Sequence, residues 1–250
     1  MEIITFGKGE RIKRCAAVIA QGKSLGRYGR LILLPIPTTK DKKYITNTTV
    51  PLNEVTELVA AGTLVAGYEI PPDMTEDIVL RGGEVYDAGR DEKFLLENAA
   101  ISAHGVIGYI LSELTKDISE LQIGIVGYGR IGEALVRGLL FFGAGVRVYT
   151  ARESVALSLC ENGISARVGL CDSDFSALDV IINTSPSHNI DGQMLKGPLS
   201  HLKVIDVASG KAVPDDENVI RLMAIPERMY PETAGRTYAR YILEKMGCTL

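Results

Sequence analysis

A chain of 250 residues, 46% hydrophobic and 23% charged, has apolar side chains enough for one large core or two small ones. Its net charge of −4 argues against a general affinity for nucleic acid or anionic membranes. No apolar run approaches the roughly 18 residues of a membrane span, and the first residues, MEIITFGKGER, lack the pattern of a secretory signal. Cys15, Cys160, Cys171 and Cys248 are scattered with no CxxC, so neither a metal-ligand set nor a disulfide framework is expected. Free thiols in a reducing cytoplasm are the expectation.

In chain order, Glu2 to Phe6 reads as a strand, Gly7-Lys8-Gly9 as a turn, and Glu10 to Gln21 as a helix stopped by Gly22. Arg11, in the first helical turn, has two readings: a solvated charge, or a residue at the carboxyl end of a strand, where open α/β sheets place ligands. Gly22 to Arg30 is a basic, glycine-rich loop. Leu31 to Leu34 is an apolar strand ending in Pro35-Ile36-Pro37-Thr38-Thr39, a rim where Pro37 and Thr38 are candidates to line a substrate site. A helix over Leu52 to Ala61, a strand over Leu64 to Ile70, a short helix capped by Asp73 and a strand over Glu84 to Asp87 complete a small parallel α/β domain of flavodoxin-like type, residues 1–98.

Asp91 to Leu114 carries a long helical pattern linking this domain to the next. Asn98, Ser102, Gly105 and Tyr109 form a polar and small stripe along it, and His104 lies about 100° from Gly105 around the axis. His104 is the leading acid–base candidate, since imidazole titrates near neutral pH; the plainer reading is a hydrogen-bonded structural histidine.

Leu121 to Gly132, LQIGIVGYGRIG, is the most informative stretch. An apolar run containing Ile123, Ile125 and Val126 enters three glycines, and Ile131, Leu135, Leu139 and Phe142 then recur at helical spacing. A GxGxxG between strand and helix is a dinucleotide-binding fingerprint. Gly127 turns the chain, Gly129 lets the backbone approach a pyrophosphate, and Gly132 brings helix and strand together, with Tyr128, Arg130 and Ile131 filling the loop. A Rossmann domain over residues 99–232 is expected, with residues 233–250 a helix returning to the first domain. Val146 to Thr150 is the next strand. Where an NAD site usually carries a carboxylate, Thr150 stands, with Arg152 and Ser154 close behind. Loss of the anion and gain of a guanidinium favour NADP(H) over NAD(H). Later strands end in Asn183-Thr184-Ser185-Pro186 and in Asp206-Val207-Ala208-Ser209, which places Asn183, Thr184, Pro186, Asp206 and Ser209 around a nicotinamide. Val219 to Ile225 reads as the last strand; His188 and His201 read as solvent-facing. Pro231 and Thr233 announce the final helix, whose open amides at Thr233 and Ala234 suit a substrate carboxylate.

The succession LILLPIPTTKD, INTTVPLNEV, GTLVAGYEIP, LLENAAISAHG, IGIVGYGRIG, VYTARES, INTSP, IDVAS and PETAG resembles the dipicolinate synthase family, in its NADP-linked chain, from about Arg30 to Gly247. The resemblance implies a two-domain NADP-linked oxidoreductase related to the D-2-hydroxyacid dehydrogenases. It implies a role in spore formation, making dipicolinate from a cyclic dihydrodipicolinate precursor in an interdomain cleft, with a second, flavoprotein-like polypeptide as partner. By position, Gly127, Gly129, Gly132 and Arg152 match the family's cofactor motif, Arg11 and Pro35 to Thr38 its cleft side, and Thr233-Ala234-Gly235 its last helix start. Two departures stand out: Ile101-Ser102-Ala103-His104-Gly105 where Pro-Thr-Ala-Glu-Gly is expected, and Glu232 where Lys is expected.

The leading expectation is therefore an NADP-dependent oxidoreductase acting on a cyclic dicarboxylate, with Arg11 and the Thr233 helix start holding carboxylates and His104 moving the proton. A D-2-hydroxyacid dehydrogenase is the first alternative, although Ser209 stands where that chemistry would place an Arg. A non-catalytic NADP-binding protein of regulatory or assembly type is the second. A homodimer is expected from fold analogy.

Overall fold

Residues 2–22, 26–187 and 189–248 are described by the computed structural model of the chain. The chain divides into two compact units, Met1–Asn98 with Pro226–Leu250, and Ala99–Ile225. The division expected at 232 thus falls at Ile225.

The first unit holds four parallel strands, β1 (Glu2–Thr5), β2 (Arg30–Leu33), β3 (Thr63–Gly67) and β4 (Glu84–Asp87), in the order β1-β2-β3-β4. This is the flavodoxin-like order 2-1-3-4-5 with its outer strand 2 left out. Helices α1 (Glu10–Ala20), α2 (Leu52–Glu57) and α3 (Pro72–Leu80) alternate with the strands. α2 is shorter than expected because Leu58 and Val59 donate to Val55 and Thr56, tightening the last turn to three-residue closure. The β3 segment likewise ends early, and α3 is capped by Pro71 rather than Asp73, with Pro72 in its first turn.

α4 (Glu92–Glu113) joins the units. Contrary to the hydropathy expectation, this 22-residue helix contains an 18-residue window long and apolar enough to cross a membrane by length and composition, at a mean hydropathy of 1.3. Half of that stretch is buried in the protein, with Phe94 in the core of the first unit and Ala103, Val106, Ile107 and Ile110 in the core of the second. Such burial is what a core helix of a globular protein shows.

The second unit builds β5 (Gln122–Val126), α5 (Arg130–Phe141), β6 (Gly145–Thr150), α6 (Glu153–Glu161), β7 (Ser165–Val168), α7 (Asp172–Phe175), β8 (Val180–Asn183), α8 (Gly192–Lys196), β9 (Lys203–Asp206) and β10 (Val219–Arg221). Its six strands are all parallel, in the order β7-β6-β5-β8-β9-β10. Counted from β5, that is the 3-2-1-4-5-6 order of dinucleotide-binding sheets, with the reversal between β5 and β8. The buried face of α5 runs through Gly132, Leu135, Val136 and Leu139. Phe142, expected on that face, is instead the C-cap and 42% exposed, because Gly143 (φ +81°) turns the chain there. Val219 to Ile225 is not one strand: β10 stops at Arg221, and α9 (Ile225–Arg228) follows.

α10 (Pro231–Lys245) closes the first unit, packing Ala234, Tyr238, Ala239, Ile242 and Leu243 into its core. α10 crosses α1 at Gly235. A Cβ there would lie 2.6 Å from Arg14 Cβ, 2.7 Å from the Arg11 carbonyl oxygen and 3.1 Å from the Cys15 nitrogen.

Candidate functional site

The glycine loop sits at the carboxyl end of β5, beside the reversal of strand order. Gly127 has φ +96°, and an added Cβ would press 2.8 Å from Thr184 Oγ1 and 3.1 Å from the Ser185 nitrogen. A Cβ on Gly132 would fall on the Gly127 carbonyl oxygen. Both glycines are thus required by the protein itself. Gly129 is different. Its backbone is extended (φ −100°, ψ −165°), and an added Cβ would meet nothing within 4 Å. As N-cap of α5 it offers no side-chain cap, so that helix start is open to an anion. A glycine that its own fold does not need, at an open helix start, fits a pyrophosphate approaching the backbone.

Around this loop, Tyr128 is half-buried and Arg130 exposed, while Ile131 packs against the core of the second unit. Thr150 is buried, and its hydroxyl accepts from the Arg152 amide at 3.2 Å. Arg152 is exposed and donates through Nη2 to the Tyr128 carbonyl at 2.7 Å. It thereby ties the end of β6 to the glycine loop. Ser154 is exposed in the first turn of α6. Thr184 donates its hydroxyl to the carbonyls of Val126 (3.1 Å) and Gly127 (3.2 Å), bracing the loop from β8. Pro186 and Ser209 are exposed; His188 lies outside the described residues.

Asp206 turns inward. Asn183, Asp206 and Arg221 occupy one register row across β8, β9 and β10. Asp206, 0% exposed, accepts from Asn183 Nδ2 (2.9 Å), from the Ala208 amide (3.3 Å) and from Arg221 Nη1 (2.6 Å). Arg221 also bonds the Val213 carbonyl and Asp215. This network fixes the loops that carry Thr184 and Ser209. Sequence reasoning missed Arg221, though a charge ending the apolar run Val219-Ile220 was a signal. Removing one partner from a buried ion pair strands the other. Arg221→Ala is expected to cost about 2 kcal/mol by urea unfolding, and adding Asp206→Asn should recover part of that loss.

In the first unit, Arg11 is 3% exposed, so it is not the solvated charge that its position in the sequence allowed. Its guanidinium carbon lies 5.5 Å from the centroid of Phe94 and 5.9 Å from that of Tyr238, and Nη2 donates to Asn98 Oδ1 at 2.9 Å. Nε has no partner. Burial lowers the Arg11 pKa from its ordinary value to about 10, against attraction from Tyr238 and Glu227. Thr38 is fully buried, and its hydroxyl accepts from the Tyr68 amide at 2.9 Å, joining the β2 rim to the end of β3. Pro37 follows a cis peptide bond and is partly exposed. At the start of α10, Thr233 is exposed, but Ala234 is buried and its amide is not open as expected: it donates to the Tyr230 carbonyl at 2.9 Å, because only the residues before it in the first turn lack an intrahelical acceptor. Glu232 pairs with Arg14 at 2.9 Å, linking α10 to α1; a lysine there would face Arg14 with like charge. His104 is exposed on the second-unit part of α4, and His201 is exposed, with Nε2 3.3 Å from the Phe175 carbonyl.

A 3-2-1-4-5-6 parallel sheet with an open glycine loop at its first strand defines a dinucleotide-binding domain. Residues 102–224, nearly the whole second unit, match the family described as D-isomer specific 2-hydroxyacid dehydrogenase, NAD binding domain. This stretch is a nicotinamide-dinucleotide-binding domain of that type. Among curated relatives, a D-lactate dehydrogenase of Staphylococcus epidermidis is 27% identical over 100 residues, covering 40% of this chain and 30% of the relative. A glyoxylate reductase of Thermococcus onnurineus is 31% identical over 121 residues, covering 48% of this chain and 36% of the relative. The chain spans about a third of the length of these relatives. Likeness of fold reaches further. A dipicolinate synthase structure from Bacillus subtilis superposes with a TM-score of 0.79 at 15% identity, covering 99% of this chain and 96% of that one. Another, from Bacillus halodurans, gives 0.77 at 18% identity, covering 98% and 97%. These two share the fold of the chain from end to end.

Proposed function

We propose that the protein is an NADP-dependent oxidoreductase whose substrate is a cyclic dicarboxylate of the dihydrodipicolinate type. The observation that carries the cofactor half is Gly129, a glycine with no steric duty in its own fold at an open helix start. For the substrate half the support is Arg11, a buried cation with an unfilled donor, together with a fold shared across nearly the full chain with the two dipicolinate synthase structures. The bound nicotinamide would supply or accept the hydride. Arg11 and the amide at Thr233 hold carboxylates, and His104, reachable by solvent, moves the proton. A homodimer, a flavoprotein-like second polypeptide and a cytoplasmic setting belong to the same reading.

Preference for NADP rests on Thr150 and Arg152. Arg152 uses one donor on the loop, and its planar fork carries others for a 2′-phosphate. Arg152→Ala is expected to lower the ratio of NADPH to NADH affinity about tenfold, as one charge-assisted contact is worth roughly 1.5 kcal/mol. An unchanged ratio in calorimetric titrations would remove the preference.

The whole reading is tested by thermal shift with NADPH or NADH, with and without pyridine-2,6-dicarboxylate. A ligand that binds the native state raises the melting temperature by mass action. A shift with NADPH that grows on adding the dicarboxylate is the expected result. A nucleotide shift indifferent to the dicarboxylate keeps the cofactor and removes the substrate class. Absence of any nucleotide shift removes the enzyme reading.

A further inference from the structure

At the start of α1 an internal carboxylate stands where an external one would bind. Gly9 is the N-cap of α1 and offers no side-chain cap. A Cβ on Gly9 would fall on the Glu227 carboxylate, so the missing side chain leaves a recess and Glu227 Oε1 fills it. The Arg11 amide donates to that oxygen at 3.5 Å, a long bond across 216 positions of sequence. Glu227 makes no ion pair among the described residues, and neither does Arg11, whose buried Nε lacks a partner. The recess therefore combines an amide of a helix N-terminus with the positive end of the helix dipole, and the buried Arg11 guanidinium, short of one acceptor, attracts the Glu227 carboxylate that fills it. A weakly held carboxylate already sits in it.

We propose that Glu227 is the resident anion of this recess and that a ligand carboxylate binds by displacing it, so that Glu227 sets the threshold affinity for anions at Arg11. This rests on the carboxylate-binding role of Arg11 proposed above. Two carboxylates cannot share one amide donor, and their mutual repulsion weakens the incoming one. A lone carboxylate competes poorly against a tethered rival. A ligand with a second anchoring carboxylate competes well, because its own second contact raises the effective concentration of the first. Glu227 thereby weakens mono- and dicarboxylates by the same factor, and only a ligand with a second contact keeps a useful affinity.

The test follows the Arg11 backbone amide by nitrogen–proton correlation spectra of the full chain during titration with acetate and, separately, pyridine-2,6-dicarboxylate. Glu227→Gln keeps size and shape and removes the charge. It is expected to tighten acetate and the dicarboxylate alike at the Arg11 amide, each at least fivefold. Glu227→Asp, one methylene shorter, serves as a second variant should the first fold poorly, and should tighten acetate binding by a smaller factor. Acetate binding equal in wild type and variants, or no response of the Arg11 amide in either variant, overturns the proposal. A dicarboxylate that binds no more tightly than acetate, while Glu227→Gln still tightens acetate, removes the substrate class and leaves Glu227 as resident anion.

Discussion

Gly129→Val is expected to weaken NADPH binding at least a hundredfold while leaving the fold intact. The added side chain points into open space, with nothing within 4 Å of its first atom, and the extended backbone accepts a β-branched residue. The cost to the free protein is that of a poor N-cap, roughly 1 kcal/mol or less. The loss of binding arises because the new methyl groups occupy the approach of the pyrophosphate to the helix amides. Gly132→Ala is the control in the opposite sense, since its Cβ meets the Gly127 carbonyl before any ligand arrives. Isothermal titration for affinity and urea unfolding for stability separate the two. Should Gly129→Val bind NADPH as wild type does, the glycine loop is scaffold and the cofactor assignment falls.

Gly235→Ala carries the largest expected loss of stability, about 3 kcal/mol, at the upper end for overpacking. One methyl group there meets backbone of α1, the Arg11 carbonyl at 2.7 Å and the Cys15 nitrogen at 3.1 Å, so no side-chain rotation relieves the clash. α10 must lift from α1, and the residues it buries, Tyr238, Ile242 and Leu243 among them, lose their fit. The expected signature is a lowered unfolding midpoint in the first unit with nucleotide binding to the second retained. A change under about 1 kcal/mol would show that the crossing tolerates separation.

The second unit was readable from sequence because its signals are local. A β-branched run, three spaced glycines and a helical period lie close together between Leu121 and Phe142, and the order of a dinucleotide-binding sheet follows from them. β7 escaped notice because Ser165–Val168 is an edge strand with three of its four residues exposed, so no apolar alternation marks it. Glu227 escaped, and the burial of Arg11 stayed open, for a different reason. Whether a charge in a first helical turn faces water or a core depends on what packs over it, and here that cover is Phe94 and Tyr238, distant in sequence. Asp206 illustrates the same limit. The carboxyl-end rule brings it near a ligand, but its partner Arg221 draws the carboxylate into the sheet. Thr38 and Thr184 likewise stand at the rims of strands, with their hydroxyls used on backbone groups.

The first unit is built from the two ends of the described chain, its four-stranded sheet ending by Asp87 and its covering helix starting at Pro231. A ribosome therefore delivers this unit in two instalments. The sheet emerges first and waits, its apolar flank bare, while the whole continuous second unit is synthesised and acquires its own core. The first unit can close only after α10 has followed the whole second unit off the ribosome. In that interval the nascent chain exposes the Phe94 and Leu31 surface that Tyr238 and Ile242 will cover, the kind of surface that draws chaperones or stray partners.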